Sequence, residues 1–201
     1  REAVGEEYPI MVRLSGADFI PGGNGPEDAA AIAGLIEKKA DAINITGGWH
    51  ESQVPQITYN VPDGMYLYLA RTVKERISIP VVGCNRLSAA KAAQAIENGS
   101  ADMAGILRGL IADPYLVKKY QEEREDTIRP CLSCNQECLD AIFSGGGIGC
   151  AVNPAVGREK EFPCFEEAAP RRLLVIGAGI SGMVFSILAA QQRYEVTVWE
   201  K

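Results

Sequence analysis

Short apolar runs alternate with longer amphipathic stretches over the first two-thirds of the chain. The first run is Ile10-Met11-Val12-Arg13-Leu14, followed by a loop through Pro21-Gly22-Gly23-Asn24-Gly25. The pattern then predicts a helix from Pro26 to Ala40, with Pro at its start, Glu27 and Asp28 in the first turn, and Ile32, Leu35 and Ile36 on one face. Ala42 to Thr46 reads as a second strand and Tyr66 to Arg76 as a second helix. Ile79 to Gly83 is a third strand, and Ser88 to Asn98 a third helix, capped by Ser88 and closed near Gly99. Ala101 to Leu107 is a fourth strand, with a short helix from Asp113 to Tyr120. Continuous apolar strands, each followed by a helix, imply a parallel sheet covered on both faces. The strands recur at roughly the 31-residue interval of a (β/α)8 barrel. Four such units make half a barrel, and an open doubly wound sheet is the alternative that pattern leaves open.

From Asp126 to Pro170 the periodicity dissolves into Cys, Gly and Pro. Such a segment needs something other than an apolar core to hold it. A new α/β unit then opens with Leu173-Leu174-Val175-Ile176, a glycine turn, a helix from Ser181 to about Gln192 and a strand at Val196. The expected organisation is therefore a barrel portion at 1–125, a cysteine segment at 126–169, and the first βαβ of a nucleotide-binding domain at 170–201. The chain starts without Met, and its last residues read as a strand with nothing after it, so both ends look cut.

Composition narrows the class. The 201 residues are 47% hydrophobic and 23% charged, as in globular proteins, and the net charge of −6 leaves no basic surplus for nucleic acid. No apolar run approaches the roughly 20 residues of a spanning helix, and Arg1 to Glu7 is too acidic for a signal peptide. A soluble cytoplasmic protein without membrane contact is expected.

Four of six cysteines crowd together as Cys131, Cys134, Cys138 and Cys150, spaced C-x2-C-x3-C-x11-C. Thiolates are soft ligands for an iron–sulfur cluster or zinc. Three close cysteines and one distant suit a [4Fe–4S] cubane better than the paired knuckles of structural zinc, and Gly145-Gly146-Gly147 lets the backbone turn around it. Zinc and free thiols remain the alternatives. Cys84 and Cys164 read as packing residues. The turn Gly177-Ala178-Gly179-Ile180-Ser181-Gly182 matches G-x-G-x-x-G after a strand and before a helix, with Glu200 ending the next strand. That context suits a pyrophosphate at the helix N-terminus and ribose hydroxyls on the carboxylate, without separating FAD from NAD. Arg13, Asn85-Arg86 and Arg108 fall at expected strand ends, where a phosphate-bearing cofactor would explain three arginines; ordinary surface arginines are the alternative. His50, the only histidine, sits in a loop flanked by Gly47-Gly48 and Glu51, a place suited to proton transfer or substrate orientation.

Arg13-Leu14-Ser15, Gly48-Trp49-His50-Glu51, Asn85-Arg86, Ala101-Asp102 through Arg108, Ala112-Asp113-Pro114 and Cys131-x-x-Cys134-Asn135-Gln136-x-Cys138 occur in one order. Together they resemble the old-yellow-enzyme-related iron–sulfur flavoproteins: 2,4-dienoyl-CoA reductase, 2-enoate reductase and trimethylamine dehydrogenase. The resemblance implies strands five to eight of a TIM barrel holding FMN, with Arg13 by the flavin ring and Arg86, Leu107 and Arg108 near its phosphate. It implies His50 beside the substrate, the four cysteines on a [4Fe–4S] cluster, and an FAD domain beginning at Gly177. NAD(P)H would reduce FAD, the cluster would relay electrons, and FMN would deliver hydride to an activated C=C bond of a small enoate or dienoyl-CoA substrate. The family's proton-donating tyrosine belongs to the other half of the barrel, and Gln53 stands where dienoyl-CoA reductases carry arginine. An amine dehydrogenase, or a non-catalytic electron-transfer or zinc-stapled module, is the alternative. A fragment of such an enzyme is expected to be inactive alone. Oligomeric state is not legible.

Overall fold

The computed structural model describes residues 1–48, 52–53, 58–161 and 171–201. The chain forms two compact units, Arg1–Gly157 and Arg158–Lys201.

The first unit carries a parallel sheet of β1 (Met11–Ser15), β2 (Ala42–Thr46), β3 (Val81–Cys84) and β4 (Met103–Gly105), in that spatial order. Each strand lies beside its sequence neighbour, and the reversal of order that marks a doubly wound sheet does not occur among these four. The connecting helices are α1 (Pro26–Ile36), α2 (Leu67–Lys74) and α3 (Ala89–Glu97). Ser88 caps α3 as expected, its side chain accepting the Lys91 N–H at 3.2 Å, and Gly99 closes it at φ +74.

Paired positions in a parallel sheet share a face, so the register sorts the side chains. Val12, Leu14, Ile43, Ile45, Val81 and Gly83 face one way, and Ile43, Ile45 and Val81 are fully buried there with Leu69 and Val73 of α2. Met11, Arg13, Asn44, Cys84 and Met103 face the other way, where Met11 is 58% and Met103 39% exposed. Among the described residues the helices thus pack on the first of these faces, not on both as expected, while the other face carries Arg13 and Asn44 beside Met11, Ala42 and Val82.

Two further expectations need correction. Helix α1 ends four residues before Ala40, with Lys39 N–H already turning back to the Ile36 carbonyl. It buries Ala29, Ala30 and Ala33, while Leu35 is 78% exposed, since small side chains let the helix approach its neighbours closely. The helix expected from Asp113 to Tyr120 is α5 (Leu116–Gln121), starting three residues later, and a separate helix that was not expected, α4 (Arg108–Ala112), precedes it. Pro114 holds Asp113 extended, at φ −141 and ψ 99, and so separates them. A short helix α6 (Leu139–Phe143) follows in the cysteine segment.

The second unit is β5 (Arg172–Ile176), α7 (Ile180–Gln191) and β6 (Glu195–Trp199), with β5 and β6 parallel and paired from Arg172–Glu195 to Ile176–Trp199.

Candidate functional site

Cys131, Cys134, Cys138 and Cys150 line one cavity, together with Arg108, Ile111, Asn135 and Glu137. Local backbone chemistry brings them there. Asp113 is fully buried at the end of α4, and its carboxylate accepts from Lys119 Nζ at 2.6 Å, Arg129 N–H at 3.0 Å and Tyr115 N–H at 3.1 Å. Burial alone would raise its pKa, but Lys119 and the two backbone donors together hold it below the ordinary carboxylate value. This fastens the start of the cysteine segment. Its far end is fastened by Asn153, 5% exposed, whose side chain donates to the Ile111 carbonyl at 2.9 Å and accepts from Arg129 Nη1 at 3.3 Å.

Between these anchors, the Gly149 N–H donates to the Glu137 carbonyl at 2.8 Å, which brings Cys150 alongside Cys138. A Cβ on Gly149 would meet Glu137 Oε2 at 2.5 Å and its Cβ at 3.2 Å, so a larger side chain there would displace the Glu137 side chain. Ser133 and Asn135, on either side of Cys134, hold positive φ of 55° and 59°, while Cys134 between them does not. Such alternation turns backbone N–H groups toward a common centre, as in anion and iron–sulfur nests. The Ser133 N–H donates to Cys131 Sγ at 3.4 Å.

This donor set fits a cluster. Four soft thiols share one cavity wall, with an N–H aimed at one sulfur and a guanidinium beside them. Among the described residues, no three His, Cys, Asp or Glu side chains are grouped as a single metal ion needs.

Two of the predicted arginines reach the cysteine segment. Arg108 opens α4 after β4 and donates through Nη1 to Asn135 Oδ1 at 2.8 Å. Burial lowers its pKa from the ordinary value and Arg86 does so further, while the sulfurs of Cys131, Cys138 and Cys134 favour the charged form. Arg86 follows β3 in a turn where Asn85 and Arg86 hold φ of 70° and 43°. It donates through Nε to the Val61 carbonyl at 2.8 Å and through Nη1 to Ser133 Oγ. Leu107 is 74% exposed beside Arg108. Arg13 lies in the middle of β1 rather than at its end, level with Asn44 of β2. Cys84 stands on the same face, its Sγ 3.1 Å from the Ile45 carbonyl, and burial pushes its thiol pKa up. Gly47, before the histidine loop, lies against the buried Tyr66 ring, which a Cβ would strike. His50, Trp49, Glu51 and Cys164 lie outside the described residues.

In the second unit the G-x-G-x-x-G residues form the turn between β5 and α7 and open that helix. Gly177 holds φ +102, Gly179 precedes α7, and a Cβ on Gly182 would collide with the Gly177 carbonyl. Ser181 lies in the first turn of α7, and the Glu200 carboxylate accepts the Ala178 N–H, joining the end of β6 to the turn.

Asp113, Asn153, Ser133 and the Glu137–Gly149 pairing were not assigned roles by sequence reasoning. In the sequence, Asp113 reads only as the start of a helix and as part of the Ala112-Asp113-Pro114 motif of the resemblance; nothing near Asn153 signals its part.

Among the described residues, no helix is long and apolar enough to cross a membrane. The model of the NADH:flavin oxidoreductase / NADH oxidase family matches residues 1–127, and that of the NAD(P)-binding Rossmann-like domain matches residues 175–201. A metal reductase of Desulforamulus reducens is 47% identical over 203 residues, covering 100% of this chain and 30% of that protein. The structure of a 2-naphthoyl-CoA reductase with 2-naphthoyl-CoA superposes with a TM-score of 0.93 at 38% identity, over 98% of this chain and 31% of that one. Histamine dehydrogenase from Rhizobium sp. 4-9 superposes at 0.84 with 28% identity, over 99% and 30%. The chain thus spans about a third of the length of the relatives it matches. An α/β chain of parallel sheets, similar throughout to these flavoenzymes, belongs to the NADH:flavin oxidoreductase / NADH oxidase family of oxidoreductases.

Proposed function

We propose that the whole protein is an NAD(P)H-dependent flavin and iron–sulfur reductase of an activated C=C bond, in an enoate or an unsaturated CoA thioester. The observation that carries this reading is the meeting of four cysteines on one cavity wall beside Arg108, at the ends of the βα units that match the flavin oxidoreductase family. Sequential strand order, with helices on one face, supports reading these units as strands five to eight of a TIM barrel. The G-x-G-x-x-G turn supports reading the second unit as the start of an FAD domain.

Cys131, Cys134, Cys138 and Cys150 would hold a [4Fe–4S] cluster; Arg13, Arg86, Leu107 and Arg108 would attend FMN; Gly177, Ala178, Gly179, Ser181, Gly182 and Glu200 would attend FAD. When bound, these groups supply hydride and single-electron chemistry, with NAD(P)H as donor. The chain's own residues supply position. Asp113 and Asn153 clamp the cysteine segment, Ser133 donates to a ligand sulfur, and Glu200 braces the turn that would meet a pyrophosphate. His50, which follows β2 in sequence, is assigned substrate orientation and proton transfer. The likeness to 2-naphthoyl-CoA reductase favours an unsaturated thioester.

A second reading, an amine dehydrogenase, is favoured by the likeness to histamine dehydrogenase. The test is iron, zinc, labile sulfide and flavin content of the full-length protein purified anaerobically, followed by assays with enoates, enoyl-CoA thioesters and amines. About four iron and four sulfide, both flavins, and NAD(P)H-dependent alkene reduction are expected. Zinc without sulfide sinks the cluster reading; amine oxidation without NAD(P)H dependence replaces the reductase by the dehydrogenase.

A further inference from the structure

Two guanidinium groups from successive βα units are fastened to the residues flanking Cys134. Arg108, half-buried in the wall of the cysteine cavity, holds Asn135 at 2.8 Å. Arg86 is fixed on the Val61 carbonyl and donates to the hydroxyl of Ser133, which is 4% exposed. The backbone N–H of that same Ser133 donates to Cys131 Sγ. Both contacted residues keep a left-handed backbone, a conformation unfavourable for most side chains other than glycine, though less so for Asn. The two arginine bonds are among the contacts that oppose this cost.

We propose that Arg108 sets the reduction potential of the cluster held by the four cysteines, raising it, and that Arg86 assists by fixing Ser133 and its N–H···S bond. The inference rests on the cluster reading above. A cubane with four thiolates is a net anion, and taking up one electron from a flavin makes it more negative, with no bond made or broken. A fixed cation in the cavity wall stabilises the reduced form more than the oxidised one, and an N–H directed at a ligand sulfur acts in the same sense. Glu137 also lines the cavity and opposes this effect, but its side chain is exposed and its charge better screened. Arg108 is thus a positioning and tuning residue, and its natural readout is a potential.

The experiment is a redox titration of the cluster, followed by electron paramagnetic resonance, in the anaerobically purified full-length protein. R108Q, R108K and S133A are compared with wild type and with R71Q, whose arginine lies on α2 in an exposed pair with Glu75. Iron and sulfide are measured on every sample. In R108Q the ratio of reduced to oxidised cluster at a fixed potential should fall about tenfold, which is about 59 mV for a one-electron couple. R108K should recover most of the loss, S133A should shift the same way by less, and R71Q should not shift. A loaded R108Q with unchanged potential overturns the inference. If R108Q cannot hold its cluster, S133A decides: a downward shift supports the inference and an unchanged potential overturns it. A wild-type protein without iron and sulfide is a different failure, that of the cluster reading itself.

Discussion

Asp113 shows how much a single buried carboxylate can organise. It takes one ammonium and two backbone N–H groups, and through Arg129 it ties the entry of the cysteine segment to the end of α4. Asp113→Ala would leave Lys119, whose side chain is only 15% exposed, without its counter-charge and the two N–H groups without an acceptor. Removing one partner from a buried pair costs about 3 kcal/mol or more. The variant should therefore show a lower urea midpoint and retain less iron. The pH dependence has a definite sign. The folded pKa of Asp113 is depressed, so its contribution is whole above the unfolded value of about 3.9 and is lost as pH falls through the lower folded value. Acid unfolding followed by circular dichroism should show Asp113→Asn losing less stability than wild type across that window. Equal losses would mean that Asp113 is not a source of acid lability.

Two glycines allow the elements of the two units to be tested separately. Gly149→Val would force Glu137 away from the paired backbone that brings Cys150 to Cys138. On the cluster and FAD reading proposed above, it should lower iron retention about tenfold or more while leaving FAD bound. Gly182→Ala would drive a methyl group into the Gly177 carbonyl, so on the same reading it should lower FAD content and leave iron in place. Metal and flavin analysis of both variants checks the pair, and a loss of both groups in either variant would refute the separation. The elements were legible in the sequence where one force dominates. Ala42–Thr46 and the Ser88 cap follow directly from apolar patterning and capping chemistry. Helix α1 was misread at Leu35 because a hydrophobic side chain was expected inward, whereas close helix packing selected alanines. The cysteine spacing named the donor set, but the means of assembling it (Asp113, Asn153 and the Glu137–Gly149 pairing) depends on contacts between distant residues that no local pattern encodes. Arg86 and Arg108 were legible as candidates from their positions, yet their bonds to Ser133 and Asn135 are tertiary facts.

At the scale of the whole molecule, the distribution of apolar surface sets the expectation. The sheet face bearing Arg13 leaves Met11 and Met103 open, and in the second unit Ile176, Ile180 and Trp199 are 78%, 80% and 67% exposed, with Phe185 at 53%. The unit from Arg158 to Lys201 is close to the size, about 40 residues, below which a single core rarely suffices. Exposed apolar side chains in such number mark surfaces that need covering. The relatives are about three times as long as this chain, which gives them the means to cover these surfaces. Produced as these 201 residues alone, the chain should bind the dye ANS, self-associate, and catalyse no NAD(P)H-dependent reduction. Size-exclusion chromatography and ANS fluorescence, measured beside the full-length protein, check this. A monomeric, dye-silent chain with a cooperative unfolding transition would overturn it, because such a chain would have to cover those side chains with its own residues.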